Sequence, residues 1–243
     1  MKKYIALLLL FPIGILAQER TLKKADKTFK KESYVSAIQI YERLANKGMG
    51  SEQIYEKLGD ANYFNAHYVQ AQKWYEKRYA LSGIFPKEFL YRYGQSLKSS
   101  GKDKQGQEIL AQYAKENPTQ IRAKNQSRQL VQESIKKGSD LFTIQNITTN
   151  SKYSDYSSTL KGDTLIFASA RPQSLGNQLY ARTGQPYTNL YYAVKQADGN
   201  YSKAELYSKN TFSIFHEASP VFTPEGNTMY YTQNEVKENS QKK

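Results

Sequence analysis

The chain has 243 residues, 39% hydrophobic and 23% charged, with a mean hydropathy of -0.75 and a formal charge of +13. That profile excludes a polytopic membrane protein and leaves room for one or two buried cores. Cysteine is absent, which excludes a disulfide framework and thiol chemistry.

The first 17 residues stand apart. Lys2 and Lys3 precede the apolar run Tyr4 to Leu16, and Ala17 ends it. A positive start, a short apolar core and a small residue predict a secretory signal over 1–17, with the mature chain beginning at Gln18 and no membrane span left after cleavage. The charge beyond it is uneven. Gln18 to Lys137 carries 23 Lys and Arg against 13 Asp and Glu, whereas Gly138 to Lys243 carries 10 against 9. The basic half suits an anionic partner or a solvated helix exterior. Export argues against nucleic acid.

From Ala25 the chain repeats. "ADKTFKKESYVSAIQIYERLA" overlies "GDANYFNAHYVQAQKWYEKRY" at a spacing of 34, matching Ala25 with Gly59, Phe29 with Tyr63, Ala37 with Ala71 and Tyr41 with Tyr75. A third copy at a spacing of 35 places Gly94, Gly106 and Leu110 on the same slots and ends at Pro118, which cannot continue a helix interior. Small residues let paired helices approach, while Tyr41, Tyr75 and Leu110 fill the space between pairs. The pattern resembles the tetratricopeptide repeat, although Thr21 and Lys24 stand where large apolar residues are usual. After Pro118, Ile121, Leu130, Val131 and Ile135 predict a covering helix that stops at Gly138.

The resemblance implies a groove lined by the first helix of each pair. It would be built from Asp26, Phe29 and Lys30, then Glu56, Asp60, Tyr63 and Phe64, then Tyr91, Gln95 and Lys98. Such a groove holds a peptide or protein through aromatic and charged groups. Phe29 and Tyr63 are equally placed to pack within their own helix pairs.

Beyond Gly138 the composition turns to Ser, Thr, Tyr and Gly. Turn pairs at Gly162-Asp163, Asp198-Gly199 and Gly226-Asn227 predict short antiparallel strands. "YSSTLKGDTLIFAS" overlies "PVFTPEGNTMYYTQ" at an offset of 64, with "NLYYAVKQADGNYSKAELYS" supplying two further strands between them. At that offset Asp155-Tyr156 falls on Ser219-Pro220. The order "SPVFTPEGNTMYYT", "NLYYA" and "DG" resembles the WD40-like blade of TolB-type β-propellers. Arg171 to Thr188, rich in Gly, Gln and Pro, reads as either a functional rim element or, the favoured reading, a disordered surface excursion. About two blades are present, and a closed propeller needs roughly four to eight. The β half is therefore expected to be cut short.

The chemistry-bearing residues are few. His216-Glu217 lacks the second His at the spacing of a zinc helix, and neither a nucleophile elbow nor a phosphate loop occurs. Asp155, Asp163 and Glu217 fall at strand starts or turns, where carboxylates cap backbone N–H groups. The expectation is a protein without catalytic residues, metal or cofactor.

The predicted class is thus α+β and multidomain: a signal over 1–17, a tetratricopeptide α-solenoid over 18–138 and an incomplete β-propeller over 139–243. In that order the parts resemble the front of a family of bacterial envelope proteins that end in an OmpA-like peptidoglycan-binding domain and include components of type IX secretion and gliding motility. The resemblance implies a periplasmic scaffold near the outer membrane that holds envelope proteins, with peptidoglycan reached only through a domain this chain lacks. Two alternatives remain open: the front of a propeller-bearing serine peptidase, or a glycan-uptake binding protein.

Overall fold

A computed structural model describes residues 18–81, 83–126, 141, 143–172 and 178–234. The signal segment, most of the covering helix and the Gly138 boundary lie outside them. The chain is α+β, with helices in its first half and antiparallel strands in its second. It divides into two compact units, Met1–Phe142 with Ala181–Thr183, and Thr143–Tyr180 with Gly184–Lys243.

The helical unit contains α1 (residues 18–30), α2 (Tyr34–Leu44), α3 (Glu52–Phe64), α4 (Tyr68–Ala80), α5 (Phe89–Ser99), α6 (Asp103–Glu116) and α7 (Ile121–Gln126). From α2 to α7 each packs on its neighbour, and α3 also meets α5. Three tight turns join α1 to α2, α3 to α4 and α5 to α6, and they are copies of one another. Glu32, Ala66 and Gly101 occupy the left-handed region at φ 57°, 57° and 80°. One residue later, the amides of Ser33, His67 and Lys102 donate to the carbonyls of Thr28, Asn62 and Leu97. These bonds satisfy carbonyls that a helix end otherwise leaves open.

Side chains repeat with the turns. Tyr41 donates to Asp26 Oδ1 at 2.6 Å, and Tyr75 donates to Asp60 Oδ1 at 2.7 Å, each across 15 residues. Gly59 sits so close to the Tyr75 ring that an added Cβ would lie 2.4 Å from it. Leu110 takes the aromatic's place beside Gly94 in the third pair. Two core clusters result, one around Tyr41, Leu58 and Trp74, the other around Tyr75, Phe89, Leu97 and Tyr113. The contact of α7 with this core runs through Ala123, 3% exposed, whereas Ile121 is 73% exposed.

The second unit holds β1 (Asp155–Lys161), β2 (Thr164–Ser169), β3 (Asn189–Val194) and β4 (Glu205–Leu206) in one antiparallel sheet of that order. The strands β5 (Glu217–Phe222) and β6 (Met229–Gln233) form a second hairpin, with β5 packed on β1, β2 and β3. Ile166, Phe167, Ala168, Leu190 and Tyr191 are the buried centre.

The two hairpins match residue by residue, but not at one offset. Asp155 pairs with Ser169 as Glu217 pairs with Gln233, and both first strands then bulge. Ser157 and Ser219, at φ 51° and 53°, occupy the same place in those bulges. Tyr153 N–H donates to Ser151 Oγ as Phe215 N–H donates to Ser213 Oγ. The first strands therefore correspond at 62 residues and the second strands at 64. The cause is the turn: two residues, Gly162 and Asp163, separate the paired ends Lys161 and Thr164, whereas four, Pro224 to Asn227, lie between Thr223 and Thr228. Asp155 is thus the counterpart of Glu217, not of Ser219. The Arg171 to Thr188 stretch is also more than an excursion. Residues 173–177 lie outside the described residues, but Arg171 is ion-paired to Asp155, Leu179 bridges to Pro186, and Thr188 is buried. Among the described residues no helix is long and apolar enough to cross a membrane.

Candidate functional site

The residues predicted to line a groove occupy α1, α3 and α5, the first helices of the three pairs. They fall into three environments. Asp26 and Lys30 border a recess of about 440 Å³ that Phe29, Tyr34, Gln53 and Lys57 complete with Glu32. There the Asp26 carboxylate accepts from Tyr41 and, at 3.3 Å, from Gln53 Nε2. Lys57 Nζ rides 4.5 Å above the Phe29 ring, a cation–π contact. Lys30 is exposed.

The α3 residues are more enclosed. Asp60 is 4% exposed and accepts from Tyr75 and from Arg92 Nη1 at 2.8 Å, so its carboxylate is committed to the interior. Burial works against the Arg92 charge, yet the Asp60 carboxylate more than offsets it and holds the guanidinium protonated. Glu56 lies half-buried nearby. Burial first, then the Asp60 charge, raises its pKa against the pull of Lys57, Arg78 and Arg92. Phe64 stacks on Tyr34 at 5.4 Å with Arg92 4.9 Å over its face. Tyr63 packs edge-on against Phe64 and Tyr68 and joins the second core cluster. For Tyr63 the packing role is therefore the one seen.

On α5, Tyr91 meets Tyr113 at 5.4 Å and carries Arg122 over its ring at 4.9 Å. Gln95 is half-buried, and the Lys98 stem lies against Gly106. The sequence pattern missed Gln53, Lys57 and Arg92, which complete the surface. It also separated Asp26 and Asp60 from Tyr41 and Tyr75. A signal existed, because both acids and both tyrosines recur at 34, so a hydrogen-bonded pair preserves the spacing of each.

The arrangement offers a mixed aromatic and charged surface. Among the described residues no three His, Asp or Glu are placed to hold one metal ion. His67 is exposed in the turn before α4. A smaller recess of about 260 Å³ in the strand unit is lined mainly by Ile147, Tyr156, Leu165, Phe167 and Tyr201, with Asp155 at its edge. No known protein family matches the chain, and no curated protein is similar enough to count as a relative.

Proposed function

We propose that this protein is a non-enzymatic scaffold exported to a bacterial cell envelope, which holds a protein partner on the face formed by α1, α3 and α5. In this reading the helical half is a tetratricopeptide array and the strand half belongs to a WD40-like propeller, as in the OmpA-linked envelope family. The supporting observation is the recurrence of one helix pair, its turn at spacings of 34 and 35 and its tyrosine–aspartate bond at 34. Repeated helix pairs place their first helices side by side and so build an extended binding face. Lys30, exposed beside an aromatic recess, selects for a partner with an acidic group next to an apolar one.

Affinity capture from an envelope extract tests the reading, with the wild-type chain beside Lys30→Glu and the exposed control Lys27→Glu. A partner retained by wild type and by the control, and reduced about tenfold by Lys30→Glu, is expected from loss and reversal of one interfacial charge. Equal capture by all three chains, or no specific partner, would remove the support for this face.

A further inference from the structure

The two hairpins hold their first acid differently. In the first, Asp155 is held by Arg171 at 3.0 Å and by the amide and hydroxyl of Ser151 at 2.6 and 2.8 Å. In the second, Glu217 is 0% exposed, and among the described residues neither carboxyl oxygen completes a hydrogen bond. Ser213, the counterpart of Ser151, and the Leu190 amide are the polar groups turned toward it.

The residue before Glu217 is constrained in the opposite sense. His216 lies between the rings of Tyr180 and Tyr187, each centroid 4.6 Å away. Its Nδ1 accepts from the Thr188 amide at 3.2 Å. The Thr188 hydroxyl lies 3.0 Å from the same Nδ1 and can accept from a protonated ring, but an imidazolium has no lone pair for the Thr188 amide, which protonation leaves without that acceptor. The same Thr188 clasps β5 to the sheet: its carbonyl accepts from the Glu217 amide, and its hydroxyl donates to the Glu217 carbonyl at 3.1 Å.

We propose that His216 and Glu217 form a two-sided pH latch, in which β5 docks on the β1–β4 sheet only while both side chains are neutral. The charges on the surrounding elements are engaged elsewhere. On β1, Asp155 is paired with Arg171, and Lys161 lies over Phe222 at the far end of β5. β2 has no titratable side chain. On β3, Tyr191 donates to the Arg171 carbonyl and Tyr192 to Glu205. β6 offers only the phenols Tyr230 and Tyr231. Burial raises the Glu217 pKa above its ordinary 4.5, against the pull of Ser213 and Leu190, and lowers that of His216 below its ordinary 6.5.

The signs follow. A raised acid contributes stability that is present below 4.5 and lost as pH rises through its folded value. A lowered histidine contributes stability that is present above 6.5 and lost as pH falls through its folded value. Where neither charged form docks, the loss from one group and the gain from the other balance between 4.5 and 6.5, and docking weakens on both sides of that range. The latch does not depend on the scaffold reading, because it concerns only how the strand unit holds together.

Two measurements on the full chain test it. The chain has two histidines, so both imidazole signals can be followed by proton NMR. The expected result is that His216 titrates below its ordinary 6.5. Amide exchange over 216–233, corrected for intrinsic rates, is expected to quicken on each side of the optimum by at most about tenfold per pH unit for each titrating group. Glu217→Gln should abolish the loss of protection on the alkaline side. His216→Gln, whose amide oxygen still accepts from Thr188, should abolish it on the acid side. A wild-type His216 that titrates at or above 6.5, or a pH profile unchanged by both variants, would overturn the proposal. Should either variant fail to fold, wild-type exchange over 216–233 that quickens on neither side overturns it.

Discussion

Both halves of the chain repeat an acid inside a repeated backbone, but they treat it differently. In the helical unit both copies are satisfied, Asp26 by Tyr41 and Gln53, Asp60 by Tyr75 and Arg92. In the strand unit the first copy, Asp155, has a cation and the second, Glu217, has none among the described residues. The helical acids are bonded by residues of the repeat itself, since a Tyr 15 positions on recurs with them. The strand acid depends on Arg171, which stands outside the hairpin ladder and is not repeated. Backbone copying therefore preserves charge compensation only where the compensating group lies within the copied spacing.

The largest effect expected from breaking this comparison is in the helices. Tyr75→Ala removes a fully buried ring and one of the two donors to buried Asp60, for a loss of about 3 to 5 kcal/mol. Tyr75→Phe keeps the ring and isolates the hydroxyl, which donates to a buried carboxylate and is worth roughly 1.5 to 3 kcal/mol. Tyr41→Phe should cost less, about 1 kcal/mol, because Asp26 is half-exposed and water can replace the bond. Urea unfolding followed by far-ultraviolet circular dichroism measures all three. Equal costs for the two phenylalanine variants would break the distinction between the copies.

The next effect is in the strands. Arg171 bonds Asp155, Ser169 and the Thr149 carbonyl and spans the faces of Phe167 and Tyr191. Arg171→Ala should destabilise this unit by about 2 kcal/mol, below the loss at a fully buried pair because both partners keep some solvent. The pH dependence sharpens the contrast with Glu217. Burial alone would raise the Asp155 pKa, but hydrogen bonds from Ser169, Ser151 and Arg171 outweigh it and hold it below 3.8. Its contribution is thus present above 3.8 and lost as pH falls through the lowered value, the reverse of Glu217. Denaturation midpoints between pH 3 and 5 should fall less steeply with acid in Arg171→Ala than in wild type.

How far these features were legible depended on whether the residue type declares its role. The spacings of 34 and 35 could be read because glycine, alanine and aromatic positions advertise close helix packing, as Gly59 against Tyr75 shows. The strand hairpins could be read from their Gly-Asp and Gly-Asn turns. Those same turns misled the register, since aligning them forces one offset on two loops that differ by two residues. Asp60 read as a groove residue because a helical carboxylate is usually solvated, and only the tertiary positions of Tyr75 and Arg92 make its burial tolerable. Glu217 gave no signal because a strand-start acid looks the same whether or not a cation reaches it.

The smallest effect concerns the three copied turns, where the backbone repeats and the residue does not. Glu32, Ala66 and Gly101 share a left-handed conformation that a Cβ disfavours by about 1 to 2 kcal/mol. Glycine relieves that strain but loses roughly 0.5 to 1 kcal/mol through the greater freedom of the unfolded chain. Ala66→Gly should therefore stabilise the helical unit by about 0.5 to 1 kcal/mol, and Gly101→Ala should destabilise it by a similar amount. No atom lies within 4 Å of a Cβ built on Gly101, so crowding adds nothing to that cost. Opposite shifts of the urea midpoint, nearly equal in size, would mean that the turns are equivalent in energy as well as in shape. A loss on Ala66→Gly would mean that the Ala66 methyl group makes a stabilising contact its turn geometry does not predict.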